Sequence, residues 1–279
     1  MKKIGLRFIR AKFKLLALVS KKMAAEQAFE LFCTPIKDYS PRKPSVFGDA
    51  EKIFFKLNGL KVKGYQWGSG GKSKLLILHG FSSLAYKFHS FIMPLVEKGY
   101  EVYAFDAPAH GGSEGTTINV LEYCEMIEKA NKKYGPFQSY IAHSFGGIAL
   151  SLAMEKAEEN NPATKMVLIA PATETTSAID AAFELLHIKD EKVRKSFDNI
   201  ILKKSGHPTK WFSVDRAMQH INASVLWVHD ENDDVTPLKD ALRVKEQNLP
   251  NVEFMITKGL GHRKIYHDKK VQQKIFEFL

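Results

Sequence analysis

Ser144 lies in the run Ala142-His143-Ser144-Phe145-Gly146-Gly147, where a β-rich segment gives way to a helical pattern. A serine at a sharp strand-to-helix turn, with small residues two positions to either side, is held with its Oγ raised above the sheet edge. Gly146 supplies one small neighbour and Ala142 the other. A serine hydroxyl attacks poorly at neutral pH, so it needs a base within hydrogen-bond reach and a third group to fix the tautomer of that base. Of the ten histidines, His262 is the one in a glycine-bounded loop, Gly259-Leu260-Gly261-His262, directly after the last predicted strand. The loop after the strand predicted at 224–228 crowds four carboxylates, Asp230, Glu231, Asp233 and Asp234, any of which could orient a histidine. His79 and His143 are expected to hydrogen-bond locally beside the serine, and His110 to serve its own turn.

These groups can meet only if the chain brings distant loops to one edge. From about residue 51, short β-rich runs alternate with helical patterns, which predicts an α/β fold with a mostly parallel sheet. Residues 51–56 and 60–67 read as a hairpin turning at Asn58 and Gly59. Strands are then expected at 74–78, 101–105, 138–142 and 165–170, with helices at 86–98, 120–134 and 145–158 between them. The alternation stops over 171–222, which reads as helical pieces and is expected to form a cap over one sheet edge. It resumes with strands at 224–228 and 252–256, a helix at 236–247 and a C-terminal helix.

From Glu51 to Leu279 the chain resembles the α/β-hydrolase family, in the esterase and lipase branch. Leu76-Ile77-Leu78-His79-Gly80-Phe81-Ser82 resembles the strand-end His-Gly segment whose loop donates an oxyanion-hole amide, and residues 105–113 are similar to the Asp-x-Pro-Gly-x-Gly-x-Ser turn, with Ala109 at a usual glycine. The resemblance implies Ser144 as nucleophile, His262 as general base and Asp233 as the acid, from the similarity of residues 229–237 to the family's Gly-x-x-Asp-x-x-x-Pro loop with Asp230 replacing the glycine. It also implies an oxyanion hole made by the backbone amides of Phe81 and Phe145, with Ser82 and His143 expected on the substrate side, or Ser82 instead as a helix-start cap. A serine at the elbow excludes the carboxylate-nucleophile branch, the dehalogenases and epoxide hydrolases.

The composition permits this reading. Hydrophobic residues at 44% and charged residues at 26% argue against disorder and against a membrane channel. Cys33 and Cys124 cannot build a disulfide framework, so reduced thiols and a cytoplasmic setting are expected. Neither metal-ligand spacing nor a phosphate-loop motif occurs, and no cofactor is expected. Of the net charge of +10, residues 1–22 carry +8 with no acid, leaving a nearly neutral body, which argues against nucleic acid. Within residues 1–45, Ile4, Phe8, Ile9, Phe13, Leu16, Val19 and Met23 recur at three- and four-residue steps with Lys and Arg between them. That spacing predicts an amphipathic helix that either contacts an anionic membrane peripherally or packs on the hydrolase body or on a second subunit. The expected reaction is hydrolysis of an ester or thioester with an apolar moiety through an acyl-enzyme; acyl transfer, C–C hydrolysis and a non-catalytic binding module are the alternatives. The apolar stretch Ala178, Ile179, Ala181, Ala182, Phe183, Leu185, Leu186 and Ile188 either lines the substrate pocket or packs the cap.

Overall fold

Leu75 and Ile77 point to one face of strand β3 (Ser73–Leu78) and Leu76 and Leu78 to the other, and all four are buried. The same period of two, apolar on both faces, recurs in β5 (Ser139–His143), β6 (Lys165–Ile169) and β7 (Ser224–Asp230). Strands of this kind must be covered by helices on both sides, which is why they pair in parallel. The computed structural model describes residues 3–36 and 43–279. β1 (Glu51–Leu57), β2 (Leu60–Trp67), β4 (Tyr100–Phe105) and β8 (Val252–Thr257) complete an eight-stranded sheet of order β1-β2-β4-β3-β5-β6-β7-β8. β1 and β2 form the expected hairpin and β2 pairs antiparallel with β4; every other pair is parallel.

One face is covered by α3 (His89–Glu97) and α11 (Lys269–Phe278), the other by α4 (Val120–Tyr134), α5 (Phe145–Met154) and α9 (Leu238–Glu246), and the short α10 (Gly261–Lys264) carries His262. Asn119 starts α4 with a reciprocal capping box to Glu122, and Asp268 caps α11. The helix expected over 86–98 opens instead as a 3-10 turn, Ala85–Phe88. The one expected to reach residue 158 ends at Met154, where the next residue, Glu155, turns to pair with Arg216 at 2.8 Å.

Residues 171–222 fold as α6 (Thr175–Leu186), α7 (Glu191–Ser205) and α8 (Val214–Met218). Their neck is closed by backbone bonds from Thr175 to Phe212 and from Val214 to Thr173. Ile179, Phe183 and Leu186 are buried, so most of the bulky side chains in the apolar stretch of this segment pack the cap, while Leu185 is exposed. They pack against α1 (Lys3–Val19) and α2 (Lys21–Cys33), whose Phe13, Ala24, Ala25 and Ala28 belong to the same core. Ser20 caps α2 and separates the two helices. The apolar stripe expected along the N-terminus is therefore divided. Ile9, Phe13 and Leu16 face the body, whereas Phe8 and Val19 point away from it; Lys2, the side chains of Lys3 and Ile4, and residues 37–42 lie outside the described residues.

Phe197 of α7 joins these parts, its ring lying 5.7 Å from Phe29, 5.9 Å from Phe32 and 5.2 Å from Phe183. Removing such a ring costs about 3–5 kcal/mol. Phe197→Ala is expected to lower unfolding free energy by that amount in denaturant titration and to expose residues 3–36 to protease. Unchanged protection of those residues would show that cap and N-terminal helices do not share a core.

Candidate active site

Strand order reverses between β3 and its neighbours β4 and β5, and at such a switch point the chain leaves a crevice beyond the carboxyl ends of the strands. β3 and β5 lie in register, Leu78 opposite Ala142, so the segments that follow them emerge side by side. Ser144 sits in the second, with φ 54° and ψ −117°, a conformation costing about 1–3 kcal/mol that persists only when its surroundings over-determine it. They do: the Ser144 amide donates to Ile169, and its carbonyl accepts from Gly147 and Ala172. A Cβ on Gly146 would lie 2.8 Å from the carbonyl oxygens of both Leu78 and His79, so nothing larger fits this turn. Ala142, fully buried in β5, shows that the position before the turn tolerates a methyl group.

The three residues predicted to act together are brought together. Ser144 Oγ is 3.0 Å from His262 Nε2, and His262 Nδ1 is 2.8 Å from Asp233 Oδ2. All three are buried, each at most 8% exposed. Asp233 also accepts from the amides of Val235 and Thr236 through Oδ1 and from the Thr236 hydroxyl through Oδ2. Burial pushes its carboxyl pKa upward, but the bond and charge of His262 and these amides outweigh burial and hold it below the ordinary value. Asp234 is exposed and takes no part.

Asp230, which reads in sequence as a substitute for a glycine, has a larger role than its position suggested. Its Oδ1 accepts from Asn232 and Gly261 and its Oδ2 from Leu260 and the Thr257 hydroxyl. One carboxylate thus ties the acid loop to the loop that carries His262. Thr236, equally silent in the sequence, contacts both Asp233 and His262.

Gly80 passes so close to the elbow that a Cβ there would lie 3.0 Å from Ser144 Cβ. Phe81 follows Gly80 at this contact, and Phe145, the residue after the serine, opens α5. Among the described residues neither amide donates to a protein acceptor. The two rings meet edge to face at 5.5 Å and both are partly exposed.

Ser82 and His143, expected on the substrate side, make these contacts within the protein, and His143 hydrogen-bonds beside the serine as expected. Ser82 accepts from the amide of Ile36 through its hydroxyl and donates its own amide to His110 Nε2, so it anchors the N-terminal segment at Ile36. His143 is buried, donates Nε2–H to the carbonyl of His262 and packs on Tyr266, so it holds the base loop.

Backbone partners also fix the charge of the histidines. The Ala107 amide donates to His79 Nε2 and the Ser82 amide to His110 Nε2, so each ring must be neutral, with Nδ1–H donating to Gly80 and Pro108 carbonyls respectively. Burial lowers the His79 pKa to about 4, and burial together with the His79 ring lowers that of His110 to about 3. Burial and the nearby His262 lower His143 to about 3. Ala109, at the usual glycine of this turn, sits at φ 66° and bears a cost of roughly 1 kcal/mol.

Because the unfolded chain protonates these rings near pH 6.5 and the folded protein does not, the unfolded state binds more protons below that pH. Each ring's contribution is complete above pH 6.5 and falls by up to about 1.4 kcal/mol per pH unit between 6.5 and its folded value. Asp233, with its lowered value, loses its contribution only below the ordinary carboxylate range. Melting temperature is therefore expected to drop steeply from pH 7.5 to 5, and less steeply in His110→Asn, where one ring is removed. A flat profile over that interval would contradict the neutral-histidine frame.

Known proteins share this architecture. The chain is 28% identical over 200 residues to the lysophosphatidylserine lipase ABHD12 of Danio rerio, covering 65% of this chain and half of that protein's length. Among solved structures, the Pyrococcus furiosus esterase Pf2001 superposes with a TM-score of 0.66 at 17% identity over 88% of this chain and 95% of its own. The carboxylesterase CesB of Bacillus subtilis superposes with a TM-score of 0.61 at 15% identity over 92% and 98%. At those identities the likeness is one of fold. Residues 71–220, more than half of the chain, match the family model described as serine aminopeptidase, S33. By that match and by its fold, the chain belongs to the S33 family of α/β-hydrolases.

Proposed function

We propose that this hydrolase cleaves carboxylic esters, or thioesters, through an acyl-enzyme on Ser144. The observation that carries the reading is the unbroken, buried line Ser144 Oγ to His262 Nε2 to Asp233 at 3.0 and 2.8 Å. Ser144 Oγ attacks the acyl carbon while its proton passes to His262 Nε2. Asp233 accepts from His262 Nδ1–H and stabilises the imidazolium that forms. The carbonyl oxygen, gaining charge, is received by the amides of Phe81 and Phe145, and losing one such donor typically costs about 3–4 kcal/mol of barrier. His262 then returns the proton to the departing alcohol or thiol, and water repeats the sequence to free the acid. The partly exposed Phe81 and Phe145 rings beside the serine favour an apolar acyl or alcohol group.

Ser144→Ala is expected to lower kcat/KM on p-nitrophenyl esters by several orders of magnitude with an unchanged melting curve, since the missing oxygen is the attacking atom. Full turnover in that folded variant would sink the reading. Asp233→Asn should lose far more activity than Asp234→Asn, because only Asp233 reaches His262; equal losses would move the acid elsewhere.

A further inference from the structure

The N-terminal helix α1 has two apolar faces, and the fold uses one. Leu6, Ile9, Phe13, Leu16 and Ala17 pack against the cap side of the core. On the opposite side Phe8 is 81% exposed, Leu15 65%, Leu18 75% and Val19 80%. With Ala11, these four fall within an arc of about 100° on a helix of 3.6 residues per turn. Arg7 and Lys14 border one edge of the arc and Lys12 the other, all three exposed. Among the described residues, Arg7 and Lys14 have no acidic partner.

We infer that this outward face of α1 seats the enzyme on an anionic lipid surface, the apolar ridge entering the acyl boundary and the basic borders meeting the headgroups. Four large apolar side chains left in water on one face need a cover. The first 22 residues carry eight basic groups and no acid, so the complementary cover is negatively charged. A second copy of the same face would set like charge against like charge, which disfavours self-association through it. No helix among the described residues is long and apolar enough to cross a bilayer, so α1 would lie along the surface. The contact would be made by the cap side of the molecule: Arg10 Nε donates to the Leu185 carbonyl and Lys21 pairs with Asp190 at 2.5 Å, fastening the helices to α6 and α7. The inference is independent of the acyl-enzyme reading.

Because Phe13 and its neighbours are core, deleting the helix would damage the fold, and point changes on the outward face are the proper test. Full-length protein is co-sedimented with phosphatidylglycerol–phosphatidylcholine vesicles and with phosphatidylcholine alone, at low and high salt. Wild type is expected to partition onto the anionic vesicles, less at high salt and little onto the neutral ones. Leu15→Glu/Leu18→Glu should weaken partitioning by about tenfold or more, and Arg7→Gln/Lys14→Gln should weaken it chiefly at low salt. Both variants should keep the wild-type melting temperature and turnover of a soluble short-chain ester. Absence of wild-type binding, equal binding to neutral vesicles, or wild-type binding by Leu15→Glu/Leu18→Glu would overturn the inference. So would a wild-type dimer that the same double variant converts to monomer in light scattering, since a second copy would then be the occupant.

Discussion

The close approach of two strand ends governs the site. β3 and β5 run parallel and in register, so the chains leaving Leu78 and Ala142 emerge within van der Waals contact of each other. Gly80 lies against Ser144 Cβ, and Gly146 lies against the carbonyls of Leu78 and His79. The contact is possible only where side chains are absent. It sets a strained serine beside the chain that leaves a different strand, and backbone bonds such as that from Ser144 to Ile169 hold the strain in place.

Around this contact the supporting polar groups keep fixed charge states. His79 and His110 each accept a backbone N–H, which a protonated ring could not do, so the loop that presents the Phe81 amide is held by neutral imidazoles. Asp106 reinforces it, receiving the amides of Ala85 and Gly112. On the far side Asp230 collects four donors from the acid loop, β8 and the histidine loop. A buried carboxylate is stable only when its lone pairs are met, and in meeting them it fixes the distance between Asp233 and His262.

The cap and the N-terminal helices form a second layer of organisation. Phe197 and Phe183 bind α2 to the cap, and the Ser82 hydroxyl accepts the Ile36 amide at the edge of the loop that follows β3. The same segment therefore touches the cap core, the site loop and, along α1, the outward apolar ridge. Its inward face is used for stability, and its outward face is available for a surface.

By itself the sequence determined the sheet, because strands buried on both faces must be apolar at every position and the turns between them carry their own punctuation. It also determined the elbow serine and the loop histidine, since both stand beside glycines that announce unusual backbone. Residue types alone did not separate Asp230, Glu231, Asp233 and Asp234, which share one short loop; the likeness of residues 229–237 to a family loop singled out Asp233, and the fold turns that carboxylate to His262. Nor could the sequence assign Ser82, His143 and Asp230, whose partners lie 46, 119 and up to 31 residues away. The N-terminal stripe shows the limit most plainly. Residues spaced three and four apart identify a helix, but an apolar band broader than one contact face does not say which part meets the protein; only the packed position of α6 and α7 divided Phe13 from Phe8.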